Sequence, residues 1–145
     1  MTYDGIIFDL EGTMQKAGYF NSPRPVFVEG LVVGIKKLAE KYPLFIVSNC
    51  GNRMLNHFLD TDNMRSYFRD WECLGNTGLG KAENIKDVIT RNNLKSTLYV
   101  GDSFADIEAA KTAGAAYIHA AYGLDGWADN EKNFQNFADI VKYLT

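Results

Sequence analysis

The sequence predicts an α/β fold, a three-layer α/β/α Rossmann-like parallel sheet, from two observations. Short apolar runs alternate with segments of helical period, and three of those runs end in polar residues. Alternation of this kind means that each helix carries the chain back to the start of the next strand, so the strands run parallel and helices cover both faces. At 145 residues the chain fits one domain, 1–145. Such a domain buries roughly two-thirds of the surface its unfolded form exposes, so disulfides are not needed to hold it.

Taken in order, YDGIIFD (Tyr3 to Asp9) is rich in isoleucine and reads as a buried strand ending at an acid. Leu31, Ile35, Leu38 and Tyr42 recur at the spacing of one helix face, and Pro43 stops that helix because it has no N–H to donate. LFIVSN (Leu44 to Asn49) is the second strand. The stretch from Met54 to Cys73, with Phe58, Tyr67, Phe68 and Trp71, suits either a helix with a following strand or a compact loop, and its aromatics suit a contact surface. Ile85, Val88 and Ile89 mark a further helix. TLYVGD (Thr97 to Asp102) is a strand, followed by a helix marked by Ile107, Ala110 and Ala113 and closed by Gly114. AAYIHA (Ala115 to Ala120) is a short strand, and Phe134, Phe137, Ile140, Val141 and Leu144 form the apolar face of a last helix. The chain shows no internal repeat, low-complexity tract or linker.

Composition narrows the function. With 46% hydrophobic and 23% charged residues and a net charge of −3, the chain has the make-up of a globular protein and lacks the basic face that nucleic acid selects. Asp4 and Asp9 interrupt the first apolar run, which argues against a signal peptide or a membrane span and for a cytoplasmic setting. Cys50 and Cys73 belong to no C-x-x-C pair and read as inert buried thiols; His57 and His119 stand alone and read as structural or surface residues.

The chemistry gathers at the strand ends. In an open parallel sheet, ligands sit outside the carboxyl ends of the strands where the winding direction reverses. Asp9, Ser48 with Asn49, and Asp102 all occupy such ends, each near a glycine or small residue that lets backbone N–H groups approach an anion. Asp106 lies four residues past Asp102, in the first turn of a helix that starts near Ser103, and so faces the same edge. Crowding Asp9, Glu11, Asp102 and Asp106 into one pocket would force protons onto some of them unless a cation were present. A hard, oxygen-seeking divalent ion, most simply Mg²⁺, relieves that crowding, and Lys81 after a glycine-rich turn adds a further positive charge.

These residues resemble, in order and spacing, the four dispersed motifs of the haloacid dehalogenase-like phosphohydrolases. DLEGT (Asp9 to Thr13) is similar to D-x-D-x-T, Ser48 to the Ser or Thr of the second motif and Lys81 to the third; Gly101, Asp102 and Asp106 are similar to G-D-x-x-x-D. The tail AAYIHAAYGL is similar to that of the phosphoglycolate phosphatase-like branch. The resemblance implies an Mg²⁺-dependent phosphatase in which Asp9 attacks phosphorus and forms an aspartyl-phosphate, a role suited to a carboxylate ionised at neutral pH. Glu11 would act as acid and then base, while Ser48, Asn49 and Lys81 would bind the phosphoryl oxygens. The ion would be held by Asp9, the Glu11 backbone carbonyl, Asp102 and Asp106.

Glu11 is a departure, since the family has Asp there; the longer arm leaves the backbone carbonyl intact but moves the acid. A catalytically impaired or regulatory relative that binds metal and phosphate is therefore one alternative, and a phosphotransferase is another. GNTGLGK (Gly75 to Lys81) matches the spacing of a nucleotide-binding P-loop but has Ala82 where the metal-binding hydroxyl belongs, and DWECL before it is a poor buried strand. Its glycines read instead as a flexible lead-in to Lys81. No stretch between the motifs is long enough for a folded lid, although MQKAGYFNSPRP (Met14 to Pro25) could form a small flap, with Arg24, Arg53, Tyr122 and Trp127 at the mouth. An open site takes a phosphorylated small molecule or macromolecule, or is closed by a second copy of the chain.

Overall fold

The computed structural model describes residues 2–19 and 22–145. Six strands form one wholly parallel sheet: β1 (Gly5–Phe8), β2 (Leu44–Ser48), β3 (Asp70–Cys73), β4 (Thr97–Gly101), β5 (Ala116–Ala120) and β6 (Asn133–Phe134). Their order is β3-β2-β1-β4-β5-β6. The helices are α1 (Leu31–Ala39), α2 (Asn52–Leu59), α3 (Leu74–Thr77), α4 (Lys81–Arg91), α5 (Phe104–Ala113) and α6 (Phe137–Leu144), with a 3₁₀ turn at Met64–Tyr67.

The two faces of the sheet carry separate cores because side chains alternate along a strand. Ile6 and Phe8 of β1 join a large cluster with Leu31, Ile35 and Leu38 of α1 and with Phe137 and Ile140 of α6. Ile7, between them, joins a smaller cluster on the other face with Val88 of α4 and Ala110 of α5. That is the three-layer arrangement. From β1 the chain winds outward through β2 and β3, then returns to place β4 on the opposite side of β1 and winds outward again. The direction therefore reverses between β1 and β4, whose carboxyl ends carry Asp9 and Asp102.

The structure resolves the region between Met54 and Cys73 as a helix, a turn and a strand. DWECL reads poorly as a buried strand because Asp70 and Glu72 alternate with Trp71 and Cys73; it nevertheless contains β3, at the edge of the sheet. Arg91, at the end of α4, satisfies both acids: Nη1 donates to Glu72 Oε2 at 2.7 Å, and Nε and Nη2 donate to Asp70 at 3.0 Å each. The neighbouring aromatics serve the core more than a surface. Phe58 is buried against Phe27 and Phe68, with ring centroids 5.3 and 6.1 Å apart. Phe134 belongs to β6 rather than to the last helix.

The segment from Met14 to Pro25 is pinned at its base, where Gln15 bridges both Glu11 and Phe27 and the Lys16 N–H donates to the Val26 carbonyl at 2.7 Å. Phe20 and Asn21 of the expected flap lie outside the described residues. Among the described residues no separately folded lid is present, and no helix is long and apolar enough to cross a membrane.

Burial would raise the Glu72 carboxyl, but Arg91, Asn76 and the Cys73 N–H outweigh it and hold the group below its ordinary value. A depressed carboxylate contributes stability in full above its unfolded value of about 4.3 and loses it as pH falls through the lower folded value. The gap in urea midpoint between wild type and Glu72→Gln is therefore expected to be widest near neutrality and to close under strongly acidic conditions. A gap independent of pH would mean that the ion pair does not stabilise the edge strand.

Candidate active site

Asp9 is the first residue beyond β1, and its N–H still donates to Val100 of β4 at 2.9 Å, so the sheet itself aims this backbone. Asp102 follows β4 directly. Ser103 caps α5 by accepting the Asp106 N–H at 3.1 Å, while Asp106 Oδ2 accepts the N–H groups of Ser103 at 3.1 Å and Asp102 at 2.9 Å. This reciprocal cap turns the second acid of the GDSFAD sequence towards the first. Lys81 opens α4, with Gly80 as its cap, and its Nζ contacts Asp9 Oδ1 at 3.2 Å and also pairs with Asp106 Oδ1. The GNTGLGK run is thus made of α3, a bend at Gly78 that closes it and the Gly80 cap of α4, and its lysine is engaged by carboxylates.

Asp102 is boxed in. Thr13 Oγ1 donates to its Oδ1 at 3.3 Å and the Leu124 N–H to its Oδ2 at 2.8 Å. Gly12, at φ +87°, lies so close that any side chain there would overlap the Asp102 carboxylate, and Gly123 is pressed against Asp102 and the Gly12 carbonyl in the same way. Tyr122 braces this arrangement by donating to the Thr13 carbonyl at 2.7 Å. It is a strut between the first motif and the loop after β5, not a mouth residue. That loop is tied down by buried His119, whose ring bonds Tyr117 Oη and the Gly126 carbonyl, each at 2.7 Å.

Carboxylate oxygens of Asp9, Asp102 and Asp106 lie within 4.8 Å of one another, and all three residues are buried. Burial drives the Asp9 carboxyl well up, with Asp106 and Asp102 adding to the rise and Lys81 opposing it. Burial also raises Asp102. For Asp106 the Lys81 ammonium and the cap donors overcome burial and hold the group low; the same carboxylates hold the Lys81 ammonium protonated against its own burial. Three carboxylates against one ammonium leave an excess of two negative charges. An all-oxygen donor set with that excess fits a hard divalent cation such as Mg²⁺.

The Glu11 carboxylate is outside this cluster of three. It is half-exposed at the rim, where burial and the Asp102 charge push it up. Ser48, buried at the end of β2, lines the adjoining cleft of about 390 Å³ together with Asn49, Asp9, Glu11 and Lys81. Cys50 also lines it, but burial pushes that thiol up to about 11, so it remains protonated at neutral pH. Trp127 is exposed and does not line the cleft, while Arg24 and Arg53 line a neighbouring hollow.

Residues 15–120 match the family of haloacid dehalogenase-like hydrolases, a stretch that includes Ser48, Lys81, Asp102 and Asp106 and begins after Asp9. A search of curated proteins finds no match. Among solved structures, the fold is similar to that of a protein from Clostridium difficile assigned as a phosphatase (TM-score 0.85, 17% identity, all of both chains covered). It is also similar to that of a Lactobacillus plantarum protein assigned as a phosphoglycolate phosphatase (TM-score 0.84, 17% identity, all of both chains covered). A hydrolase of the haloacid dehalogenase superfamily from Ehrlichia chaffeensis gives a TM-score of 0.78 at 19% identity, over 98% of this chain and 96% of that one.

Crowded like charges predict a measurable response. Mg²⁺ is expected to raise the midpoint temperature of the wild type, by an amount equivalent to about 2.7 kcal/mol at a hundred times its dissociation constant. Asp102→Asn should lose most of that increment, and Asp9→Asn should melt higher than the wild type without metal because one of the crowded charges is gone. Wild type indifferent to Mg²⁺ in thermal denaturation would remove the case for a cation at these acids.

Proposed function

Because the chain belongs to the haloacid dehalogenase-like hydrolases, we propose that it is an Mg²⁺-dependent phosphatase that cleaves phosphate monoesters by way of a phosphoryl group carried on Asp9. The observation that carries this reading is the buried Asp9 carboxylate, in contact with Lys81 and facing a cleft that Ser48 and Asn49 also line. A nucleophile for phosphorus needs a charged oxygen beside groups that neutralise the phosphoryl oxygens, and little other machinery.

In the first step an Asp9 oxygen bonds to phosphorus while the bond to the ester oxygen breaks, and Glu11 gives that oxygen its proton. In the second, Glu11 takes a proton from water, the water oxygen bonds to the same phosphorus, and the Asp9–phosphorus bond breaks to release inorganic phosphate. Burial and Asp102 raise the Glu11 carboxyl, the direction that suits a group alternating between acid and base. Lys81 holds the nucleophile in place, and Ser48, Asn49 and Lys81 bind the phosphoryl oxygens. Asp9, Asp102, Asp106 and the Glu11 carbonyl would hold Mg²⁺, which would supply positive charge to offset the carboxylates and polarise the phosphoryl group. The setting is cytoplasmic, in keeping with two cysteines that remain free.

Glu11 also favours a second reading. It stands where the family carries Asp, and its longer arm moves the acid, as in a module that binds metal and phosphate with little turnover. The two are separable with p-nitrophenyl phosphate and Mg²⁺. The phosphatase releases phosphate, Asp9→Asn abolishes release, and Glu11→Gln slows it by about 10²- to 10⁴-fold. A misplacement of roughly 1 Å costs on the order of a hundredfold in rate, so Glu11→Asp is expected to raise turnover; no gain would show that Glu11 already sits well. Phosphate binding without release in the wild type favours the regulatory module.

A further inference from the structure

The turn that delivers Lys81 is held by two polar side chains, neither of which takes part in the chemical steps. Asn84 lies three residues past Lys81 in α4 and is fully buried. Its Nδ2 donates to the Leu79 carbonyl at 3.3 Å, and its Oδ1 accepts the Thr77 hydroxyl at 2.9 Å. The amide cannot be turned over, since the Leu79 carbonyl would offer Oδ1 no hydrogen. Thr77 Oγ1 in turn accepts the Leu79 N–H at 3.0 Å. The bonds therefore run from Leu79 to Thr77, on to Asn84 and back to Leu79, a closed circuit that engages both backbone polar groups of Leu79. Little else fixes this turn: Gly78, at φ +72°, and Gly80 flank Leu79, whose side chain is exposed.

The circuit also ties α4 to another wall of the cleft. α3, which ends at Thr77, is seated on the loop after β2. There the Gly75 N–H donates to the Cys50 carbonyl at 3.1 Å, and Gly75 approaches the Gly51 and Asn52 backbone too closely for any side chain. Ser48 and Asn49 immediately precede that loop, and both line the cleft with Lys81. Thr77 and Asn84 thus refer the Lys81 backbone to the frame that carries Ser48 and Asn49, while its ammonium reaches Asp9 and Asp106. An ammonium is a point charge on a flexible four-carbon stem, so the place where its helix begins decides whether it can face phosphoryl oxygens as well as the acids.

We propose that Thr77 and Asn84 are positioning residues for the phosphoryl group: through the Leu79 turn they set Lys81 in the register with Ser48 and Asn49 that lets all three hold one oxyanion. The inference rests on the phosphatase reading, in which Lys81 binds phosphoryl oxygens, and deepens it. Its signature is a split between anion and cation binding. An ammonium that drifts from its place serves a phosphate less well, yet it also competes less with a metal ion for the carboxylates. A fold that is merely loosened loses both ligands together.

Calorimetric titrations of the full chain with Mg²⁺ alone, and with inorganic phosphate in the presence of Mg²⁺, test it. Thr77→Val keeps the shape and removes the hydroxyl, and is expected to weaken phosphate binding by about tenfold or more, the loss of a hydrogen bond to a charged group. It should bind Mg²⁺ no more weakly than the wild type. Thr77→Ser, which keeps the hydroxyl, should bind phosphate as the wild type does, and Asn84→Ala should follow Thr77→Val. In a Lys81→Met background, Thr77→Val should change phosphate affinity by less than about twofold, because its effect runs through the missing ammonium. Equal losses of phosphate and Mg²⁺ affinity, an undiminished effect in the Lys81→Met background, or phosphate binding unchanged by Thr77→Val overturns the positioning role. Wild type that binds no phosphate overturns it too. Hydrolysis of p-nitrophenyl phosphate by the wild type leaves the phosphatase reading standing in each of those cases, and its absence takes that reading away separately.

Discussion

Mutual repulsion among Asp9, Asp102 and Asp106, countered among the described residues by the Lys81 ammonium, is the constraint around which the carboxyl edge of this sheet is organised. Buried like charges stay close only if something rigid keeps them there. Here the rigidity comes from different sources for each acid. Asp9 is held by the continuation of the β1–β4 ladder, Asp106 by a reciprocal helix cap, and Asp102 by Thr13, the Leu124 N–H and two glycine backbones pressed against it. Local structure that would be routine elsewhere, a strand end or a cap, thereby becomes electrostatic positioning.

The parts of this arrangement legible in the sequence are those that leave a local mark. The strands that became β1, β2, β4 and β5 are apolar runs bounded by turns or acids, and Asp102 with Asp106 announces itself through spacing. β3 was hard to read because an edge strand is buried less completely, so its alternation of Asp70 and Glu72 with Trp71 and Cys73 looks like a loop until Arg91 is seen to satisfy the acids. β6 is only two residues long and its Phe134 mimics the period of the helix that follows.

The support for Asp102 was less visible still. Tyr122, Gly123 and Leu124 are remote in sequence from both Thr13 and the acids they brace, and nothing in YGL distinguishes a strut from a surface turn. Gly12 could have been suspected from its place in DLEGT, yet the reason for it, an approach too close for any side chain, depends on Asp102, a residue ninety positions away. Gln15 is similar: an amide in a loop is unremarked until its Oε1 is found buried with no hydrogen-bond partner among the described residues. Long-range closure and unmet hydrogen bonds are properties of the fold, not of any window of sequence.

The separation of Lys81 from Asp9 has a bearing on how the chain is made. Asp9 emerges from the ribosome 72 residues ahead of its ammonium partner, an interval of about 4 to 14 s at typical elongation rates of about 5–20 residues/s. Throughout that interval β1 has no neighbour on the β4 side and its terminal carboxylate has no counter-charge, so the nascent segment gains nothing from burying that end early. Closure of the edge is deferred until β4 and α5, which bring Asp102 and Asp106, have followed Lys81.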